Sequence, residues 1–78
     1  MIVEKQYQKH LKLVGFNEAT MHPVQRVETK RTFFAAFGQA IMMLRDEMPG
    51  NEDDAIAQLE AIKNEVANFF QKESKRSN

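Results

Sequence analysis

No cysteine occurs among the 78 residues. That removes disulfides and thiolate metal sites and fits a reducing compartment. No apolar run approaches the roughly 20 residues of a membrane span, and the opening "MIVEKQYQKH" has no signal-peptide core. The expectation is a cytoplasmic chain with no membrane partner. Net charge is also missing, since eleven Lys and Arg face eleven Asp and Glu. Duplex binding depends on many phosphate contacts, so DNA is not an expected partner. With only three glycines there is no glycine-rich phosphate loop. The two serines, Ser74 and Ser77, fall at the C-terminal end, and Thr20, Thr29 and Thr32 lack an evident paired base. His10 and His22 stand in separate segments without ligand spacing, so neither a metal nor another cofactor is expected. The chain reads as a binding protein, not an enzyme.

A chain of this length buries only roughly 60–65% of its unfolded surface, so its own core is marginal. With disulfides excluded, the usual remedy is oligomerisation. The charges, although balanced, are unevenly placed. Residues 1–40 hold six Lys and Arg against three Asp and Glu, residues 41–71 hold two against seven, and the last seven hold three against one. Such asymmetry suits a local anion pocket or packing between copies, and equally a plain solvated surface.

The patterning is helical throughout, with no strand pattern, internal repeat or low-complexity segment. In residues 2–14, Ile2, Val3, Tyr7, Leu11 and Val14 recur at helical spacing and Gly15 stops the run. "FNEAT" reads as a connector. A second helix is expected over residues 23–48, where Val27, Phe34, Ile41 and Met48 repeat every seven residues with Phe37 and Leu44 between them. Phe33, Ala36, Ala40 and Met43 widen that face beyond what one neighbour covers. Pro49 and Gly50 break the backbone, Asn51 caps, and Glu52, Asp53 and Asp54 complement the dipole of a third helix over residues 52–72. Capping accounts for that acidic trio without a bound cation. The connection is short, so the two long helices are expected to form an antiparallel hairpin. The fold class is thus all-α: one helical domain with a short first helix, a long hairpin, and a frayed tail over residues 73–78.

The constellation that invites a functional reading is "MHPVQRVETKRTFF", residues 21–34. Arg26 and Lys30 lie one helical turn apart, with Arg31, Thr29, Phe33 and Phe34 beside them. His22 sits at a helix start, where free backbone N–H groups favour an anion. Lys30 falls between Val27 and Phe34 in the apolar seam. Its methylene stem either covers apolar surface, or its ammonium pairs with an acid such as Glu65, or it meets a phosphate while nearby aromatics hold bases. "AIMMLRDEM" suits a plastic partner-binding surface or, equally, ordinary core.

From His22 onward the order of features resembles a phage family of anti-CBASS cyclic-nucleotide sponges. The resemblance rests on His22-Pro23, the basic-aromatic helix "RVETKRTFFAAFGQAIMML", the break at Met48-Pro49, and "EDDAIAQLEAIKNEVANFF" with Ala57, Leu59-Glu60 and Asn68. It spans about 57 of the 78 residues. It implies a small helical hairpin assembled as a homo-oligomer, from dimer to hexamer. Such an assembly sequesters cyclic di- or trinucleotides of a bacterial immune response in the host cytoplasm, without cleaving them. Pockets between subunits would set basic side chains against phosphates and an aromatic against bases. The implied ligand-binding residues are Arg26, Lys30, Arg31 and His22, with Tyr7, Phe33 or Phe34 as the aromatic. Two departures stand out: Met21 occupies a position that is often aromatic in the family, and "GNEDD" replaces a basic, serine-rich stretch. The alternative is a small phage-type interaction module or inhibitor that docks a helix face on a host protein. The acidic residues from Asp46 to Asp54 and the methionines motivate that alternative.

Overall fold

A computed structural model describes residues 1–76, for Arg76 the backbone only, and contains helices and no strand among them. Three α-helices follow one another: α1 over Ile2–Val14, α2 over Pro23–Asp46 and α3 over Glu52–Arg76. A one-turn 3-10 helix over Glu18–Thr20 connects the first two. Packing divides the chain into two compact units at Arg45.

In the first unit, α1 ends where glycine is needed. Gly15 takes a left-handed conformation, φ 78°, that a side chain disfavours. Its N–H donates to the Lys12 carbonyl at 3.3 Å, and the Phe16 N–H donates to the Leu11 carbonyl at 2.9 Å. This pair of bonds is a Schellman closure that satisfies the last free carbonyls of the helix. The chain then turns through Asn17, whose Oδ1 accepts from the Ala19 N–H at 2.9 Å. His22 starts α2: its Nδ1 accepts from the Val24 N–H at 3.2 Å, and its carbonyl accepts from the Arg26 N–H at 2.9 Å. Pro23 is suited to the first helical position because it lacks an N–H that would go unpaired there.

The core of this unit is small. Tyr7, Leu11 and Met21 are the buried side chains among the described residues. Of the α1 stripe, Val3 is half-buried, whereas Ile2 and Val14 are exposed. An aromatic ladder on α2 packs against Tyr7: its ring centroid lies 5.4 Å from Phe33 and 6.3 Å from Phe34, and Phe33 continues to Phe37 at 5.9 Å.

The second unit is α3 with the residues leading into it. Asn51 caps it as its residue type predicts, Oδ1 accepting from the Asp54 N–H at 3.1 Å. Ile56, Leu59, Val66, Phe69 and Phe70 on this helix are exposed.

Two helix ends differ from the sequence expectation. The second helix stops at Asp46, two residues before the expected Met48, because a residue preceding proline is pushed out of the helical region. The third runs to Arg76, beyond the expected 72. Residues 73–76 contain neither Gly nor Pro to halt a helix. Positions 77 and 78 of the expected frayed tail lie outside the described residues.

Candidate functional site

The start of α2 lies against α1, and the contact is polar at its edge. Lys30 Nζ pairs with Glu4 Oε1 at 3.1 Å, both side chains about two-fifths exposed. The same ammonium sits over the Tyr7 ring, 5.5 Å from its centroid, within cation–π range. So the acid that Lys30 meets is Glu4 of the first helix rather than Glu65. Gln8 extends the network: its Nε2 donates to Glu4 Oε2 at 2.7 Å and to Glu18 Oε1 at 3.1 Å.

These contacts move the ionisations in the directions chemistry requires. The Gln8 amide and then the Lys30 ammonium hold the Glu4 carboxyl below its ordinary value. The Glu4 contact holds the Lys30 ammonium above its own. Burial pushes the Tyr7 phenol up, with Glu18 adding to the effect. The Tyr7 hydroxyl is buried and has no hydrogen-bond partner among the described residues.

The sequence-derived candidates therefore occupy different situations. Arg26 is exposed, and its side chain has no ion-pair or hydrogen-bond partner among the described residues. Lys30 is paired with Glu4 but still partly open. Arg31 pairs with Glu28 one turn back, at 3.3 Å. His22 is exposed and serves as a cap. Tyr7 is fully shut from solvent, so it supports the aromatic ladder from beneath and does not face outward. Phe34 is exposed and Phe33 half-buried, and they present the aromatic surface nearest to Lys30.

Beside this cluster, an open groove of about 430 Å³ is lined by His10, Glu28, Thr29, Thr32, Phe33 and Ala36. The His10 ring lies 5.2 Å from Phe33 at 33°. Two hydroxyls, one carboxylate and a tilted aromatic pair suit a flat heterocycle and lack a cation for a phosphate. Sequence reasoning missed His10 and Glu4 here. Glu4 was accessible by counting, since it is the one acid in residues 2–14. His10 carries no such signal, because its partner lies on another helix.

Among the described residues no three His, Cys, Asp or Glu side chains gather as a metal site, and no helix is long and apolar enough to cross a membrane. No family model, curated protein or solved structure matches this chain.

Proposed function

We propose that this chain is a non-enzymatic binding protein that sequesters cyclic oligonucleotide second messengers, blocking a bacterial anti-phage immune response from the host cytoplasm. The observation that carries the reading is Arg26: an exposed cation with no partner among the described residues, one turn before Lys30 on the helix that carries the aromatic ladder with exposed Phe34. An arginine so placed offers a bidentate grip on a phosphate. Exposed rings nearby offer stacking surface for bases. Lys30 adds charge once an anion competes with Glu4 for its ammonium.

In this proposal the two long helices form an antiparallel hairpin, and copies assemble as a homo-oligomer, from dimer to hexamer, with ligand pockets at their junctions. Support for assembly comes from sixteen large apolar side chains left exposed beside a core of three among the described residues. So thin a core leaves the helices dependent on further packing. Isothermal titration with a panel of cyclic di- and trinucleotides tests the proposal, and absence of heat with every member would sink it.

A second reading, an interaction module or inhibitor docking on a host protein, is favoured by one observation. The exposed Ile56, Leu59, Val66 and Phe70 run along one side of α3, as in helix-in-groove recognition. A pull-down returning one stoichiometric host protein, with no nucleotide retained, would favour it over the first.

A further inference from the structure

We infer that α2 pairs with α2 of a second copy, antiparallel, about a two-fold axis passing beside Phe34. Among the described residues the exposed large apolar side chains of α2 are Val24, Val27, Phe34, Ile41, Met42 and Leu44. Three of them form one narrow stripe that is symmetric about Phe34, with Val27 and Ile41 seven residues to either side. A two-fold interface requires this kind of self-complementarity, in which residue i meets j and j meets i. Read in the reverse direction, the pattern sets Val27 against the second copy's Ile41, and Phe34 against Phe34. The seven-residue steps drift slowly around a helix of 3.6 residues per turn, which is the path a left-handed supercoiled partner follows.

Two further features fit the same occupant. Gly38 lies one turn after Phe34 on this stripe, and a Cβ there would meet nothing within 4 Å. Glycine weakens a helix interior, and nothing among the described residues packs against this position. A second copy's Phe34 crossing at the axis uses the vacant place. At the N-terminal end, a hollow of about 380 Å³ lined by Pro23, Val24, Val27 and Glu28 adjoins Val27, opposite the second copy's Ile41.

Charge selects the direction. Arg26, Lys30 and Arg31 outnumber Glu28 in the first half of α2, and Asp46 with Glu47 outnumbers Arg45 at its far end. Antiparallel pairing lays basic ends beside acidic ends and opposes the helix dipoles, whereas parallel pairing stacks like charges. In this register Arg26 falls on the flank of the seam, open at the junction between copies.

The test uses the absence of native cysteine, because any disulfide in a single-cysteine variant joins two copies. Full-length Phe34→Cys under mild oxidation should give a covalent dimer. Val27→Cys alone and Ile41→Cys alone should not, since each pairs with the other position and its own counterpart lies about 21 Å away along the helix. An equimolar mixture of the Val27→Cys and Ile41→Cys chains should cross-link. Both positions are exposed, so these two chains report even where the Phe34 change disturbs the Tyr7 contact. Self-linking of Val27→Cys, or no link in the mixture, overturns the proposal. Gly38→Leu should weaken association by at least about tenfold with helicity unchanged by circular dichroism. An unaltered mass by light scattering in this variant, or an odd-numbered or monomeric assembly of the native chain, also overturns it. None of these readouts involves a nucleotide, so their failure is separable from failure of the sequestration proposal.

Discussion

Lys30 Nζ lies 3.1 Å from Glu4 Oε1 and 5.5 Å from the centre of the Tyr7 ring, so one ammonium joins α1 to α2 through a carboxylate and an aromatic face at once. A lysine at a seam position is costly when its charge is unmet. Here the charge is met from the neighbouring helix, and the cation stays partly open to a competing anion. Structural and ligand roles thus converge on the same atom, and the experiments must separate them.

Ligand titration of three variants makes that separation. Under the sequestration proposal Arg26→Ala lowers affinity for a cyclic dinucleotide by roughly tenfold or more, the size of a lost charge-assisted hydrogen bond, while helicity is unchanged. Lys30→Ala lowers both affinity and thermal stability, because it also removes the partner of Glu4. Glu4→Gln frees the ammonium, so affinity rises while stability falls. Unchanged affinity in Glu4→Gln and Lys30→Ala alike would confine Lys30 to holding the helices together.

The pH dependence follows from the same groups. The Glu4 carboxyl is lowered by folding, so its contribution is present above the ordinary carboxylate value and lost as pH falls through its folded value. Lys30 and Tyr7 are raised by folding, so theirs is complete below about pH 10 and lost as pH rises through their folded values. Urea midpoints followed by circular dichroism should be flat from about pH 5 to about pH 9 and fall on both sides. Glu4→Gln should shallow the acid limb, and a Tyr7→Phe chain the alkaline one.

Tyr7→Phe has a second expected outcome at neutral pH. The hydroxyl is buried without a partner, a state that costs roughly 1–3 kcal/mol. Replacing it by hydrogen should raise the melting temperature by about 4–8 °C for each kcal/mol recovered. A lower melting temperature would mean that the hydroxyl is hydrogen-bonded in solution.

Leu11→Ala strikes the thinnest part of the fold. Leu11 is 3% exposed in a core of three side chains, and such truncations cost about 2–5 kcal/mol. In so small a unit that loss should abolish the cooperative melting of residues 1–45, read by loss of their amide protection in hydrogen exchange.

The beginnings of α2 and α3 were legible because each has a chemical marker: Pro23 after His22, and Asn51 before its acidic trio. Gly15 marked the end of α1 in the same way. The ends of α2 and α3 were less so, since Met48 carries its restriction only through Pro49, and Ser74 and Lys75 neither prolong nor stop a helix strongly. Periodicity placed Tyr7 and Leu11 on a buried stripe, but Ile2 and Val14 of the same stripe, and Ile56, Leu59, Val66, Phe69 and Phe70 of α3, are exposed. Tyr7 was grouped with possible ligand contacts, yet it shares a stripe with Leu11 and is buried with it. Met21 stood out only as a position that is often aromatic in the resembling family, and it is core, set at the end of the 3-10 turn of Glu18–Thr20. Lys30 stood out as a misplaced charge, while its answer, Glu4, lay on a helix that no local pattern connects to it.

Tyr7 is the single tyrosine, and the chain has no tryptophan. Its near-ultraviolet signal therefore reports the first unit alone, whereas the far-ultraviolet signal sums all three helices. Recorded together through a thermal or urea transition, the two traces form an internal comparison that needs no added label. Coincident curves mean one cooperative event. A tyrosine signal that moves first, with much of the helical signal still standing, means that the two units unfold independently.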